Sequence, residues 1–335
     1  MRALVLRGPR VAGVEEVQAP APGAGQVVVD VHRAGVCGTD VELFTGDMAY
    51  YAQGKAAFPL RPGHEWSGVV SAVGAGVGES RLGERVTGET MLGCGACARC
   101  RAGHGHVCSH RHEVGILGGW PGALAEKVCV PAASLHRLPD SVDDQAGALV
   151  EPGGNAWRAA AAAGAGPGSR VLVWGPGTIG LLTAAFARAA GAEVHVLGLD
   201  HRNRELARKL GADRFWTRDE PPDVTFDAIV DCTDDRSIPA AALDLVEPAG
   251  RVVHIGLSSA PSLIDTRELV LKEVTAVGLL GGSAGMGPAI EHYAGGLVAP
   301  GVLVGATVGL DQAAGVLAGE YEGDQGTKIH IDPRL

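Results

Sequence analysis

The sequence predicts an α/β protein in which a β-rich region is combined with a domain built on a doubly wound parallel sheet. Residues up to about 150 hold short β-like runs, such as 26–31, between glycine- and proline-rich loops. From 152 to 282, strand and helix patterns alternate, which is typical of βαβ units. The alternation is lost from about 283. We therefore predict one domain over 1–151 and 283–335, interrupted by a second domain over 152–282.

The alternation in the second domain can be followed from one segment to the next. Apolar runs of four to six residues predict strands, and longer runs with helical spacing predict helices. The predicted segments are a helix at 155–163, a strand at 170–174, a helix at 179–190, a strand at 194–197, a helix at 203–210, a strand at 226–231, a helix at 238–246 and a strand at 251–255.

Composition and charge exclude several classes of function. The 335 residues correspond to about two domains, and 46% apolar and 20% charged residues exclude disorder. A net charge of −10 argues against a nucleic-acid partner. We also expect no membrane partner, because no apolar run is long enough for a transmembrane helix. The short apolar start does not fit a signal peptide, and seven cysteines, an odd number, predict the reducing cytoplasm.

A cluster of four cysteines predicts a structural metal site. Four thiolates match the tetrahedral coordination that zinc prefers and leave no position for a substrate. The alternatives are free thiols or two disulfides, and a reducing compartment disfavours disulfides. We predict a zinc lobe over about 93–109 that unfolds when the metal is removed. Its ligands are Cys94, Cys97, Cys100 and Cys108.

Three further segments, each a weak signal by itself, together offer a second metal site. Cys37 lies in a Cys-Gly-Thr-Asp sequence, His64 and Glu65 follow a glycine, and Glu151 precedes a proline. One thiolate, one imidazole and two carboxylates suit a zinc ion that keeps an open position for substrate. Asp40 could accept a hydrogen bond from the His64 ring nitrogen that does not bind the metal.

A glycine-rich turn follows the predicted strand at 170–174. The first glycine of a G-x-G-x-x-G turn permits the tight bend, the second lets the backbone approach a pyrophosphate, and the third lets helix and strand pack closely. The phosphate then meets the helix N-terminus. Because the turn joins a predicted strand to a predicted helix, it predicts a dinucleotide site. Its residues are Gly175, Pro176, Gly177, Thr178, Ile179 and Gly180.

This ordered set of motifs resembles the zinc-dependent medium-chain dehydrogenase/reductase family, and its sorbitol and threonine dehydrogenase-like branch most of all. The resemblance extends over nearly the whole chain and includes 269–273 and 326–330 near its end. It implies a GroES-like catalytic domain, a Rossmann domain and a homodimer or homotetramer.

The resemblance also implies roles for individual residues. Cys37, His64 and Glu151 match the ligands of the catalytic zinc, and Glu65 matches a carboxylate that can move onto that metal. Thr39 matches the hydroxyl that relays the substrate proton. The four clustered cysteines match the ligands of the structural zinc. The implied cofactors are two zinc ions per chain and NAD or NADP.

The chain departs from the family at the proton relay and at the ribose site. Many relatives carry His three residues after the position of Thr39, where this chain has Glu42. Glu42 either replaces that base or is an ordinary surface residue. Gly198 stands where the family has the acidic residue that binds the ribose. Asp200 favours NAD, whereas Gly198 with Arg202 and Arg204 favours NADP unless these arginines are only a solvated helix face, and both cofactors stay open.

Two further features concern the substrate pocket. Gly153 and Gly154 stand where relatives carry bulkier apolar residues, which predicts either a wider site or a looser helix. Tyr50, Tyr51 and Trp120 lie on segments that border the pocket in relatives, so we predict that they contact the substrate.

We therefore expect a cytoplasmic oxidoreductase that transfers a hydride between a secondary alcohol and NAD(P), giving the ketone. A polyol, a cyclitol or an amino alcohol is the expected substrate, with threonine or simple alcohols as alternatives. A zinc- and nucleotide-binding protein without catalysis is a different possibility, but such a protein has no need of an open metal site. The same ligands argue against a zinc-free quinone or enoyl reductase.

Overall fold

The computed structural model describes residues 1–321 and 326–335. The described strands are β1 (Arg2–Gly8), β2 (Val11–Glu16), β3 (Gln26–Gly35), β4 (Glu65–Val73), β5 (Arg85–Gly88), β6 (Met91–Leu92), β7 (His112–Glu113), β8 (Lys127–Pro131), β9 (Leu135–Arg137), β10 (Arg170–Trp174), β11 (Glu193–Gly198), β12 (Arg214–Thr217), β13 (Phe226–Asp231), β14 (Val246–His254), β15 (Thr275–Gly278), β16 (Val304–Gly309) and β17 (Lys328–Asp332). The described α-helices are α1 (Gly38–Thr45), α2 (Ala49–Ala52), α3 (Ala98–Arg101), α4 (Asp144–Ala148), α5 (Val150–Ala162), α6 (Thr178–Ala189), α7 (Arg204–Lys209), α8 (Ile238–Leu245), α9 (Thr266–Leu271), α10 (Ser283–Ala294) and α11 (Ala313–Ala318).

One compact unit, Pro152–Ala299, is built on a six-stranded parallel sheet. Its strand order is β12-β11-β10-β13-β14-β15. The order reverses between β10 and β13, and in such sheets a dinucleotide binds at the carboxyl ends of the strands beside that reversal. The strands predicted at 170–174 and 226–231 have the observed bounds, and the helix predicted at 179–190 is α6. Fully buried apolar side chains such as Leu172 and Ile229 form the core of the sheet.

The other compact unit consists of Met1–Glu151 and Pro300–Leu335. The chain thus returns to this unit at 300 and not at 283, where the sequence prediction placed the boundary. The reason is α10, which packs against the start of α5 and so belongs to the unit Pro152–Ala299. There a Cβ at Gly153 would overlap the Tyr293 hydroxyl, and one at Gly154 would lie 2.9 Å from Met286 Cγ. No local pattern distinguishes such a helix from one that belongs to the C-terminal segment.

A seven-stranded sheet organises the unit of Met1–Glu151 and Pro300–Leu335, which is the first unit along the chain. The sheet brings distant segments of the sequence together. Strand β3 pairs antiparallel with β4, β8 and β17. Gly35 at the end of β3 pairs with Glu65 at the start of β4 and also with His330 of β17. Trp66, which is fully buried, anchors the start of β4 in the core. The ends of three strands therefore meet beside the loop that carries Cys37.

No helix in the described residues is long and apolar enough to cross a membrane.

Candidate active site and metal centres

Three of the predicted ligands converge at this meeting of strand ends. Cys37 directly precedes α1, and His64 and Glu65 lie at the start of β4. One donor atom from each of the three lies within 4.8 Å of the others. His64 is 5% exposed and Glu65 is 1% exposed. A thiolate, an imidazole and a carboxylate at this spacing fit the donor set of a catalytic zinc ion.

Asp40 connects the two loops that carry these donors. Its side chain is fully buried, and its Oδ2 accepts a hydrogen bond from the Cys37 backbone amide at 2.9 Å. Its Oδ1 accepts from the Gly63 amide at 3.0 Å and lies 3.5 Å from His64 Nδ1. The predicted proximity of Asp40 to the His64 ring is therefore present. Asp40 also fixes the backbone on both sides of the donor group.

The charges of Asp40 and His64 stabilise each other in this buried setting. Burial acts to raise the pKa of Asp40, but the His64 charge and the two backbone amides outweigh it and hold that pKa below its usual value. Burial acts to lower the pKa of His64, but Asp40 and Cys37 outweigh it and raise that pKa well above its usual value.

We expect Asp40→Asn to weaken zinc binding at this site by about 10- to 100-fold, the usual effect of losing a group that orients a ligand. An amide has only one oxygen, so it cannot accept both backbone hydrogen bonds and face the imidazole. Competition with a chromogenic chelator measures the affinity. Asp47→Asn, an exposed carboxylate just beyond α1, is the matched control. Wild-type zinc affinity in Asp40→Asn would contradict the positioning role.

Lys328 is a functional candidate that the sequence reasoning did not single out. Its Nζ donates to Glu65 Oε1 at 2.8 Å, to Glu65 Oε2 at 2.7 Å and to the Val36 carbonyl at 3.0 Å. Lys328 is 4% exposed, so the pair is almost completely removed from water. A Cβ at Gly35 would overlap Glu65 Oε2, and this explains why a glycine occupies that position. In this arrangement Lys328 holds both oxygens of Glu65.

The other predicted residues of the catalytic centre are placed as follows. Glu151 is buried, but the group of converging donors in the described chain does not include it. Thr39 is partly buried in the first turn of α1, and Glu42 is exposed three residues later on the same helix. Positions three apart lie on one face of a helix. The roles of these residues remain predictions.

The four clustered cysteines lie at the spacing that a bound zinc ion requires. The Sγ distances are 3.9 Å for Cys94–Cys100, 3.5 Å for Cys97–Cys100 and 3.7 Å for Cys97–Cys108. Zinc–sulfur bonds of about 2.3 Å in a tetrahedron place the sulfurs about 3.8 Å apart. All four thiols are free of disulfide bonds. The cluster therefore fits a closed four-thiolate site.

Backbone amides surround these sulfurs. The Cys100 amide donates to Cys97 Sγ at 3.4 Å, and the His110 amide donates to Cys108 Sγ at 3.3 Å. Such amides lower the pKa of Cys94, Cys97 and Cys108. Burial raises the pKa of Cys100 to about 11. Because a metal binds the thiolate form, the amides favour binding at three of the four sulfurs.

The glycine-rich turn between β10 and α6 has the geometry that a dinucleotide needs. Gly175 has φ +97°, a conformation that other residues rarely adopt. A Cβ at Gly180 would overlap the Gly175 carbonyl oxygen, so this glycine permits close packing of the helix. Gly177 faces open space and directly precedes α6, whose first two residues are Thr178 and Ile179. The glycine-rich turn therefore leaves room for a pyrophosphate at the N-terminus of α6.

The end of β11 places the three predicted ribose residues close together. Gly198 is the last residue of the strand and is buried. Asp200 accepts two hydrogen bonds from Arg202, from the amide at 2.8 Å and from Nε at 2.9 Å. The Asn203 side chain donates to the Pro176 carbonyl at 2.9 Å and ties this loop to the glycine-rich turn. The Asp200 carboxylate is thus already paired with a cation.

The polar groups of the three predicted substrate residues are hydrogen-bonded within the first unit. The Tyr50 hydroxyl donates to Glu113 at 3.2 Å, and the Tyr51 hydroxyl donates to the Leu43 carbonyl at 3.1 Å. The Trp120 indole donates to the Cys129 carbonyl at 2.9 Å. Their contact with a substrate remains a prediction.

The paired glycines after Glu151 neither break nor shorten the helix. Helix α5 continues through Gly153 and Gly154 to Ala162. Tyr293 and Met286 approach these glycines and occupy the volume that larger side chains would fill. The glycines therefore allow close packing of α10.

Known protein families match most of the chain. Residues 23–140 match the alcohol dehydrogenase GroES-like domain, and residues 178–294 match the zinc-binding dehydrogenase family. The chain is 32% identical over 293 residues to an L-threonine 3-dehydrogenase of Rhizobium johnstonii, with 84% of each protein covered. It is 35% identical over 295 residues to an L-threonine 3-dehydrogenase of Anaeromyxobacter dehalogenans, again with 84% of each covered.

Solved structures agree with this assignment. An alcohol dehydrogenase from E. coli CFT073 complexed with NADH superposes with a TM-score of 0.92 at 27% identity, covering 99% of both chains. A zinc-binding dehydrogenase from Sinorhizobium meliloti 1021 bound to NADP superposes with a TM-score of 0.91 at 26% identity, also covering 99% of both chains. The expected GroES-like and Rossmann folds and the expected enzyme class are confirmed. The chain belongs to the medium-chain alcohol dehydrogenase superfamily and is a zinc-dependent oxidoreductase that uses NAD(P).

Proposed function

We propose that the enzyme oxidises a secondary alcohol to a ketone at a site formed by Cys37, His64, Glu65 and Glu151. The convergence of partly buried Cys37 with buried His64 and Glu65 carries the proposal, because a thiolate, an imidazole and a carboxylate rarely meet away from water without a metal. When bound, zinc supplies a Lewis acid that makes a substrate hydroxyl more acidic, and NAD(P) supplies the hydride acceptor.

The chain's own residues then orient the ligands and move the proton. Asp40 holds the Cys37 and His64 loops, and Lys328 holds Glu65 next to them. The Thr39 hydroxyl accepts the substrate proton and donates its own proton outward. Glu42 lies on the same face of α1 and is the base that we propose at the outer end of this relay.

For the substrate, we propose an amino alcohol, a polyol or a cyclitol. Support for an amino alcohol comes from relatives named L-threonine 3-dehydrogenase, since threonine carries a secondary hydroxyl next to an amine-bearing carbon. Initial rates of NAD(P)H formation on L-threonine, sorbitol, myo-inositol and 2,3-butanediol, with and without a chelator, test this class. A chelator-sensitive rate with any of them supports the proposal. Tight nucleotide binding without turnover on the panel would favour the binding-protein alternative.

For the cofactor, we propose that NADP is used at least as well as NAD. Arg202 occupies both oxygens of Asp200, and Gly198 brings no carboxylate that would repel a 2′-phosphate. Arg202 is 75% exposed and can approach that phosphate.

Arg202→Ala is expected to lower the ratio of kcat/KM with NADP to that with NAD by at least about tenfold. It removes a cation and leaves the Asp200 carboxylate unpaired, and a charge-assisted contact of this kind contributes about 1.5–3 kcal/mol. Steady-state kinetics with both cofactors measure the ratio. Arg236→Ala, which changes another arginine of the same unit, is the control. An unchanged ratio in Arg202→Ala would contradict the assignment.

We also propose that two copies of the chain pair through β15. This strand is at the edge of the six-stranded sheet, and within the described chain its only strand partner is β14. Val270 and Leu271, at the end of the neighbouring α9, are each 78% exposed. An open edge next to apolar side chains is a pairing surface, and identical edges pair about a two-fold axis.

Val270→Glu is expected to shift the protein from a dimer toward the 34.1 kDa monomer. A charge introduced at a buried dimer contact remains desolvated and unpaired. Sedimentation velocity over a concentration series measures the distribution. Val11→Glu changes an apolar residue that is 56% exposed in the other unit and is the matched control. Identical distributions for Val270→Glu and wild type would refute pairing through this edge.

We propose a cytoplasmic location as well. All seven cysteines are free of disulfide bonds, which supports a reducing compartment.

A further inference from the structure

The first unit contains a pocket that is lined by none of the converging zinc donors. Its volume is about 280 Å³, near the lower end of the range for small-molecule sites. Val5 and Val17 from the N-terminal hairpin region, Leu60, and the ring of Trp120 form apolar walls. A pocket of this size and lining suits a small molecule with an apolar body.

Arg61 gives the pocket its positive charge. It lines the pocket and is partly buried, and burial lowers the pKa of its guanidinium. Among the described residues, no carboxylate forms an ion pair with it, and its side chain makes no hydrogen bond. Arg7, at the same pocket, differs in this respect, because its guanidinium binds Glu15 through Nε at 2.8 Å and Nη2 at 2.6 Å.

A partly buried cation without a partner is unusual, since removal from water disfavours the charge unless an anion compensates it. The pocket contains one paired cation, one paired anion and the unpaired Arg61. It is therefore complementary to a single negative charge. A guanidinium binds a carboxylate through two parallel hydrogen bonds, which also orients the rest of the ligand.

Trp120 fixes the place of the apolar body. Its indole N–H donates to the Cys129 carbonyl at 2.9 Å, so the ring that lines the pocket is held in one orientation. An immobile ring loses little conformational freedom when a ligand binds next to it.

We propose that this pocket binds a small organic carboxylate with an apolar body, with the carboxylate on Arg61 and the body against Trp120 and Leu60. We propose no role for this site in the oxidation of the alcohol. Trp120 is a lining residue of this pocket. The proposal holds whether or not the substrate class proposed above is correct.

Calorimetric titration of the zinc-loaded enzyme with 3-phenylpropionate tests the proposal. We expect saturable binding that weakens at least about tenfold in Arg61→Met, which keeps the length of the side chain and removes the charge. Arg61→Lys should retain more affinity than Arg61→Met. Arg137→Met is the matched control, because Arg137 is exposed and forms no ion pair with any described residue. It should bind 3-phenylpropionate as the wild type does.

Two further probes separate the charge from the apolar body. The neutral 3-phenylpropanamide and the small anion acetate should each bind at least about tenfold more weakly than 3-phenylpropionate. Thermal unfolding without a probe should show Arg61→Met at or above the wild-type Tm, because no ion pair is lost. Equal affinity of wild type and Arg61→Met for 3-phenylpropionate would overturn the proposal. So would equal binding of the acid and its amide.

Discussion

Replacing Cys37 with serine or His64 with alanine is expected to lower kcat/KM for the alcohol by at least about a thousandfold. Each side chain offers a donor atom within 4.8 Å of a Glu65 carboxylate oxygen. Loss of the metal from this site removes several kcal/mol of stabilisation from the developing charge, and about 4 kcal/mol corresponds to a thousandfold in rate. Steady-state rates with saturating NAD(P), together with zinc content per chain, measure the effect.

The two variants should remain folded, which separates a chemical defect from a structural one. Cys37 is only partly buried, and neither Cys37 nor His64 belongs to the apolar core cluster that holds the first unit together. Circular dichroism and NAD(P) binding should match the wild type. Cys129→Ser, a cysteine outside both donor groups, should keep full activity. Wild-type turnover in either Cys37→Ser or His64→Ala would refute the assignment of the catalytic zinc.

Cys97→Ser is expected to have the second largest effect, this time on stability. Cys97 Sγ is one of the four clustered sulfurs and lies 3.5 Å from Cys100 Sγ and 3.7 Å from Cys108 Sγ. A serine hydroxyl is a poor zinc ligand, so one of the two zinc ions should be lost. Structural zinc contributes directly to folding free energy. We expect a Tm lower by about 10 °C, which corresponds to roughly 3–5 kcal/mol for a unit of this size.

Differential scanning calorimetry and metal analysis by mass spectrometry measure these two quantities. Cys129→Ser is again the matched control and should keep both zinc ions. A chelator strong enough to remove the structural zinc should lower the wild-type Tm and leave Cys97→Ser nearly unaffected. If Cys97→Ser keeps two zinc ions per chain and the wild-type Tm, the cluster is not a structural metal site.

The sequence predicts the parts of this enzyme whose residues are neighbours along the chain. The four cysteines span fifteen positions, and G-x-G-x-x-G occupies six, so spacing alone indicates their geometry. The ion pair between Glu65 and Lys328 is different, because 263 positions separate its members. Only the pairing of β17 with β3 brings them together. No periodicity or spacing in the sequence indicates a contact between residues so far apart along the chain.

The predicted substrate residues and the domain boundary show a second limit. An aromatic residue in a loop is equally compatible with a ligand contact and with a hydrogen bond to the fold, and Tyr51 does bond to the Leu43 carbonyl. Helix α10 has an ordinary helical pattern, and its unit is decided by Gly153 and Gly154, which precede it by about 130 residues. In the sequence, Arg61 resembles any other loop arginine. Only the three-dimensional structure shows that it lines a pocket and that no carboxylate of the described residues pairs with it.

The late arrival of β17 has a consequence during synthesis on the ribosome. At 5–20 residues per second, roughly 10–40 s pass between translation of Glu151 and of Asp332. Most of that time is spent translating the unit Pro152–Ala299, which is complete before β17 is made, while Glu65 still lacks its lysine and β3 lacks one neighbour. A nascent chain interrupted between Ala299 and Lys328 carries a finished nucleotide-binding unit and an incomplete catalytic unit. Quality-control proteases would then recognise the catalytic unit, and their cleavage should concentrate between Met1 and Glu151.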